Sequence, residues 1–279
     1  MKPEAIGDFY VLDGELINAR DTGIFNWIQK PVYEVIRVID GVPLFLEDHL
    51  DRMYDSASII NYYFNKSEEE IRRDIKKLIL NNKIGKSNIK LIAADIEGKG
   101  KTFIIYEVES FYPPEDYYRN GINTILFQYE RQNPNAKVLI SNFKEDVSKA
   151  LKEKNAFEAL LLKNDGYIPE GSRSNMFFIK DNKVYTAPED EVLLGITRKF
   201  IFNICEKLNI QIIEESIHVN DLNKLDGAFM SGTSVNVLPI KSIGEIALDS
   251  VNNDIIKEIN KTYIDIMKLY IEQNKKYWI

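Results

Sequence analysis

Residues 158–198 read EALLLKNDGYIPEGSRSNMFFIKDNKVYTAPEDEVLLGITR. AFEALLLKNDGYIPE reads as two apolar legs folding back at Asp165-Gly166, and NMFFIKDNKVYTA as a second hairpin turning at Asp181-Asn182. Such pairs tolerate the left-handed backbone a tight turn needs. LLGITRKFIFNICEKL (193–208) then opens a helix on a glycine and a threonine. Between the hairpins sits the corner PEGSRSN, with Glu170 flanked by small residues. Glu170 has two readings: a solvated carboxylate on a surface turn, or a carboxylate aimed inward at a cationic partner.

On the N-terminal side, FYVLDGELIN (9–18) and YEVIRVIDGVPLFL (33–46) read as hairpins around Asp13-Gly14 and Asp40-Gly41. A helix is expected from about Glu47. SEEEIRRDIKKLIL (67–80) opens with a capping box, Ser67 and Glu70, and continues at helical spacing. NIKLIAADI and TFIIYEV read as strands. FYPPEDYYRNG (111–121), with its prolines, charges and glycine, reads as a linker. Strands are expected over 122–129 and 136–140, and a helix near 144–155. IQIIEESI and GAFMSGT (227–233) read as strands. Ile255, Ile256, Ile259, Tyr263, Ile266, Met267 and Tyr270 mark one face of a closing helix. The pattern is α+β in two parts: an N-terminal α/β domain over 1–112, a linker over 113–121 and a C-terminal domain over 122–279.

The 279 residues, 44% hydrophobic and 28% charged, are those of a globular chain with a sizeable core. A net charge of −7 with scattered basic residues argues against nucleic acid as a partner. No apolar run has membrane-spanning length, and MKPEAIGDFY lacks the apolar stretch of a signal peptide. Cys205 is the single cysteine, and His49 and His218 are the only histidines. Neither a disulfide framework nor a zinc site is expected, no metal is called for, and a reducing cytoplasm is the expected location.

Four further stretches carry candidate chemistry. LGITR (194–198) would point helix N–H groups at an anion, unless it is an ordinary helix start. MSGTS (230–234) offers the hydroxyls of Thr233 and Ser234 beside Gly232, unless it is only a strand-ending turn. His49, Arg52 and Ser56 fall on one helical face, where an arginine fork suits a phosphate and a solvated face is the plain alternative. Lys137, in AKVLISNF (136–143), either guards a strand edge or points inward as a nucleophilic amine. An imine-forming lysine, phosphate donors and a carboxylate for a cationic ring nitrogen together match the needs of pyridoxal phosphate.

On these residues the chain resembles the class IV aminotransferases, the fold type IV pyridoxal-phosphate enzymes. The similarity runs from about residue 9 to residue 245 and is strongest over 158–198, in the order EGS, SN, aromatic run, YT-P, L-x-GITR. MSGT followed by Pro239 is similar to the branched-chain members. The resemblance implies a small N-terminal α/β domain and a larger C-terminal domain with a barrel-like sheet, with pyridoxal 5'-phosphate as cofactor. It implies that Lys137 is the Schiff-base lysine and acid/base. It implies that Glu170 pairs with the pyridine nitrogen and that Leu193 packs on the ring. Arg52, the backbone of Ile196 and Thr197, and Thr233 with Ser234 would hold the phosphate, and Tyr33 would line the substrate pocket. Amino-acid and 2-oxo-acid substrates and a homodimer follow from the same likeness.

The chain also departs from the family. DTGIFNWIQKPVYEV (21–35) replaces a glycine-rich substrate loop, Asn142 stands where many branched-chain members have a tyrosine, and Asp95 lies near the place of a carboxylate-binding arginine. Lys90 is the nearby candidate cation for substrate. The expected activity is amino transfer between an amino acid, branched-chain among the candidates, and a 2-oxo acid. A lyase of the aminodeoxychorismate type, which uses the same lysine and cofactor, is the alternative, and a non-enzymatic binding protein of the same fold is a second.

Overall fold

The computed structural model describes residues 5–20, 28–96, 98–130, 134–135, 137 and 141–278. The chain divides into two compact units. The first comprises residues 1–111, 136–139 and 267–279, and the second 112–135 and 140–266. This division differs from the expected one in assigning the segment around Lys137 and the C-terminal end of the chain to the first unit.

In the first unit, β1 (Phe9–Leu12), β2 (Glu15–Asn18), β3 (Ile28–Ile39), β4 (Val42–Pro43), β5 (Lys86–Ile96) and β6 (Gly100–Val108) form a six-stranded sheet. Its order is β2-β1-β6-β5-β3-β4, with every pairing antiparallel. Asp40 and Gly41 both take positive φ, 50° and 75°, so the β3–β4 turn has the backbone its Asp-Gly pair suits. Helices α1 (Leu46–Ile59) and α2 (Glu68–Asn82) bury Leu50, Met53, Ile71 and Ile75 with Val32, Ile36, Leu91 and Ile105 of the sheet. Each such side chain contributes roughly 1.5–3 kcal/mol. The other face of the sheet gathers Tyr10, Ile92, Ala94, Ile104 and Tyr106, with Tyr33 packed against them.

The two helices are started differently. Ser67 and Glu70 make the expected capping box at α2. The residue before α1, Phe45, lies in the left-handed region and supplies no side-chain cap. Tyr270 takes over that role: its hydroxyl accepts from Leu46 N at 3.2 Å and donates to Glu47 at 2.7 Å. The start of α1 is therefore held by a residue more than two hundred positions away.

The second unit contains α3 (Glu115–Asn120), β7 (Ile122–Gln128), α4 (Ser141–Glu153), β8 (Glu158–Leu162), β9 (Tyr167–Ile168), β10 (Asn175–Lys180) and β11 (Lys183–Thr186). It continues through α5 (Ile196–Lys207), β12 (Ile212–Glu214), β13 (Ile217–His218), β14 (Gly227–Gly232), β15 (Asn236–Ile243) and β16 (Ile246–Ala247). The closing helix α6 (Asp254–Trp278) begins there. The main sheet runs β12-β11-β10-β14-β15-β7-β8, with β16 on β15. The β11–β12, β15–β7 and β7–β8 pairings are parallel.

Several expectations change in detail. Residues 115–120 are helical, and Tyr118 packs into the second unit's core and donates to Val235 O at 3.0 Å, so this stretch is not a free linker. The hairpin at Asp165-Gly166 folds back as expected, with Leu161 N donating to Glu170 O at 2.8 Å. The strand partner of β8 is nevertheless β7, while β9 pairs with β13. IQIIEESI splits into β12 and β13 in separate sheets. Strand β15 gave no sequence signal because Pro239 interrupts it, and proline usually argues against an interior strand. The expected strand over 136–140 lies outside the described residues except for Lys137, which is not in a strand.

Candidate active site

In the first unit the site is built around a carboxylate that sequence reasoning missed. Glu34 alternates with Val32, Ile36 and Val38 on the helix-facing side of β3 and is fully buried. It accepts from His49 Nδ1 and from Arg52 Nε and Nη2, each at 2.7 Å. Burial opposes the charge on Glu34. The Arg52 guanidinium and the hydrogen bonds from His49 and Arg52 outweigh it and hold the carboxyl well below the usual carboxylate range. For His49, burial pushes the pKa down, Glu34 pulls it up, and the charges on Arg52 and Lys137 push it down again. The net shift is downward. His49 is therefore neutral at pH 7, with Nδ1–H donated to Glu34.

The face of α1 carrying His49, Arg52 and Ser56 is thus the helix face expected from the spacing, turned inward rather than to solvent. Its last member reaches Lys137: the Lys137 N–H donates to Ser56 Oγ at 3.3 Å. The Lys137 carbonyl in turn accepts from Tyr33 N at 3.3 Å. Lys137 is half-buried, and its Nζ lies 5.2 Å from the centroid of the Tyr33 ring. Both backbone groups of the lysine are tied down, and its amine lies against the Tyr33 ring. Lys90 is buried on β5, with Nζ also 5.2 Å from the Tyr33 centroid. Asp95 is exposed.

In the second unit the corner PEGSRSN is organised by another missed carboxylate, Glu158. It is fully buried at the start of β8. It accepts from Ser172 N at 3.1 Å, Ser172 Oγ at 2.5 Å and Ser174 Oγ at 3.0 Å. A Cβ on Gly171 would lie 2.2 Å from Ser174 Oγ, so any larger residue would have to push the Ser174 hydroxyl off Glu158. The small residues of the corner thus close on Glu158. Glu170 itself is 4% exposed, which removes the surface-turn reading.

Asn175 joins this corner to the GITR stretch. Its Nδ2 donates to Leu193 O at 2.8 Å, and a Cβ on Gly195 would lie 2.1 Å from its Oδ1. Helix α5 begins after Gly195 with no side-chain cap. Ile196 and Thr197 are buried, and Thr197 Oγ1 is 3.3 Å from Tyr263 Oη. Arg198 turns away to Ala187 O and Glu214, at 2.9 and 3.0 Å. Thr233 and Ser234 form the half-buried turn after β14. The neighbouring Ser231 Oγ is buried without a hydrogen-bond partner among the described residues.

The first unit thus offers an amine held by its own backbone and an arginine fork, and the second, taken by itself, a buried carboxylate, an uncapped helix start and an orphaned buried hydroxyl, each a group of a kind pyridoxal phosphate can use. Residues 31–243 match the family model for amino-transferase class IV. The chain is 30% identical over 225 residues to the D-alanine aminotransferase of Bacillus licheniformis, covering 76% of this chain and 78% of that one. It is 28% identical to the branched-chain-amino-acid aminotransferase of Pseudomonas aeruginosa, with 91% of each covered. The branched-chain amino acid aminotransferase of Escherichia coli shares its fold at a TM-score of 0.84 and 23% identity, over 94% of this chain and 95% of that one. So does the T.th. branched-chain amino acid aminotransferase crystallised with pyridoxamine 5'-phosphate, at 0.84 and 22%, over 95% and 96%. The chain belongs to the class IV aminotransferase family. It is an enzyme of fold type IV, an aminotransferase whose cofactor is pyridoxal 5'-phosphate.

Arg52 is held by Glu34 through two hydrogen bonds, and Arg52→Lys tests whether it also serves the phosphate expected of it. Lysine keeps a positive charge beside Glu34 but loses the planar fork. Cofactor affinity is expected to fall roughly tenfold, the equivalent of one charged hydrogen bond at ~1.5 kcal/mol. A cofactor titration followed by absorbance measures this, and full retention would remove Arg52 from the phosphate site.

Proposed function

We propose that this enzyme moves the amino group of a small amino acid, of the branched-chain or D-alanine type, to a 2-oxo acid, with Lys137 as the reactive amine. The observation that carries this reading is the double backbone tether of Lys137 to Ser56 and Tyr33, with its Nζ over the Tyr33 ring. The names of the relatives support both substrate types. When bound, pyridoxal phosphate supplies a carbonyl for reaction with amines and a ring that draws off the charge left by α-proton loss.

The protein's own groups do the rest. Lys137 Nζ would be the covalent anchor of the cofactor and, when free, the base that moves the substrate's α-proton. Glu170 keeps the ring nitrogen protonated. Arg52, the N–H groups of Ile196 and Thr197, and Thr233 with Ser234 would hold the phosphate, and Leu193 would supply an apolar contact to the ring. Tyr33 and Lys90 face the substrate. The same reading takes the enzyme as a cytoplasmic homodimer. The family resemblance supports the dimer, which light scattering would test, and the single buried Cys205 suits a reducing compartment.

A spectrophotometric screen of L- and D-amino acids against 2-oxoglutarate and pyruvate tests the activity. Keto-acid-dependent turnover of at least one amino acid is expected, and none with any pair would count against amino transfer. Glu170→Gln is nearly isosteric but loses the negative charge. It is expected to keep the cofactor while α-proton removal slows by roughly a hundredfold or more, because the missing stabilisation is felt where charge develops. Single-turnover absorbance measures the step, and an unchanged rate would return Glu170 to a structural role.

A further inference from the structure

Lys90 sits in the middle of β5 with 4% of its surface exposed. Strand alternation places it on the face with Ile92 and Ala94, the one that also gathers Tyr106 and Tyr33. Its Nζ lies 5.2 Å from the Tyr33 centroid and 5.9 Å from that of Tyr106. These aromatic faces offset part of the cost of burying an ammonium group. Lys137 Nζ is 5.2 Å from the same Tyr33 centroid, so the two amines can be no more than about 10 Å apart.

Among the described residues, Tyr10 of β1, Tyr33 of β3 and Tyr106 of β6 gather on the face that carries Lys90, and the ionisable groups near Lys137 include Glu34 of β3 and His49 and Arg52 of α1. The Glu34 charge is matched by Arg52 through two hydrogen bonds, and His49 is neutral at pH 7. Lys90 adds a charge of the same sign as a protonated Lys137.

We propose that Lys90 is a positioning residue for the reactive amine: its charge disfavours a proton on Lys137 Nζ and so keeps that nitrogen's lone pair available for bond formation. The inference rests on Lys137 being the reactive amine. Two unit charges about 10 Å apart at an effective dielectric of about 20 shift a protonation midpoint by about one pH unit. At neutral pH this is roughly a tenfold difference in the unprotonated fraction.

Full-length, cofactor-free protein acetylated with acetic anhydride across a pH series reports the protonation of Lys137, read by mass spectrometry of the peptide that contains it. Lys90→Met removes the charge and keeps the length. It is expected to raise the midpoint of Lys137 labelling by about one pH unit and to slow labelling at neutral pH roughly tenfold. Lys90→Arg keeps the charge and is expected to leave the midpoint where the wild type has it. A midpoint unmoved in Lys90→Met, or moved equally by Lys90→Arg, overturns the proposal. Lys90→Gln, read by the same outcomes, replaces Lys90→Met should the latter lack native tryptophan fluorescence. The midpoint of the bound cofactor's absorbance in the loaded protein is expected to shift in the same direction, and its constancy would equally count against Lys90. Borohydride labelling tests the parent reading separately. Cofactor fixed to another lysine removes Lys137, whereas cofactor fixed to Lys137 with an unmoved midpoint removes Lys90 alone.

Discussion

Borohydride treatment of the yellow, cofactor-loaded protein is expected to fix the cofactor to the peptide containing Lys137, and Lys137→Ala is expected to abolish both that label and nearly all amino transfer. The rate loss should be at least roughly 10²–10⁴-fold, the range associated with removing one positioned acid/base group. Loss of the covalent link to the cofactor comes in addition. The tether explains why no other lysine should substitute. Ser56 and Tyr33 hold the backbone of residue 137 from both sides, so the amine is presented by the main chain and not by a mobile surface stem. Peptide mapping of the reduced protein decides the matter. A label on Lys90, the buried amine against the same Tyr33 ring, would exchange the roles of the two lysines.

The second large effect concerns folding. Glu34→Ala is expected to destabilise the first unit by about 3–5 kcal/mol, because it leaves Arg52 and His49 facing an empty, buried place. Glu34→Gln keeps the shape but must turn an N–H toward one of its former donors, and is expected to retain much of that loss. Of the chain's two tryptophans, Trp278 is buried in the core of the first unit, so its fluorescence in urea reads that unit. A wild-type midpoint for Glu34→Ala would show that the pair is dispensable.

The same cluster sets a pH dependence. His49 has its folded pKa below the ordinary 6.5, so its contribution is fully present above that value and is lost as pH falls. Glu34 is likewise depressed, so its contribution is present above 4.5 and lost on further acidification. The urea midpoint of the wild type should therefore fall in two stages toward acid. Glu34→Ala should flatten the second.

The amino-acid sequence by itself determined the local elements whose signals are local. The Asp40-Gly41 turn, the Ser67–Glu70 capping box and the face of α1 bearing His49, Arg52 and Ser56 each depend on residues a few positions apart, and each is present as read. The EGS, SN and GITR order was also legible, because every link in it is a turn residue or a helix start.

What tertiary structure alone decided is where buried charge finds its partner. Glu34 and Glu158 stand in apolar strands, and an acidic residue in such a stripe was the available signal. Nothing local says that Glu34 closes on α1 or that Glu158 gathers the two serines of the corner. Local pattern also left Lys137 undecided between strand edge and reactive amine. Its surroundings come from β3 and α1, roughly a hundred residues away in the chain, and a desolvated charge is governed by what lies within a few ångströms of it and not by its neighbours in sequence.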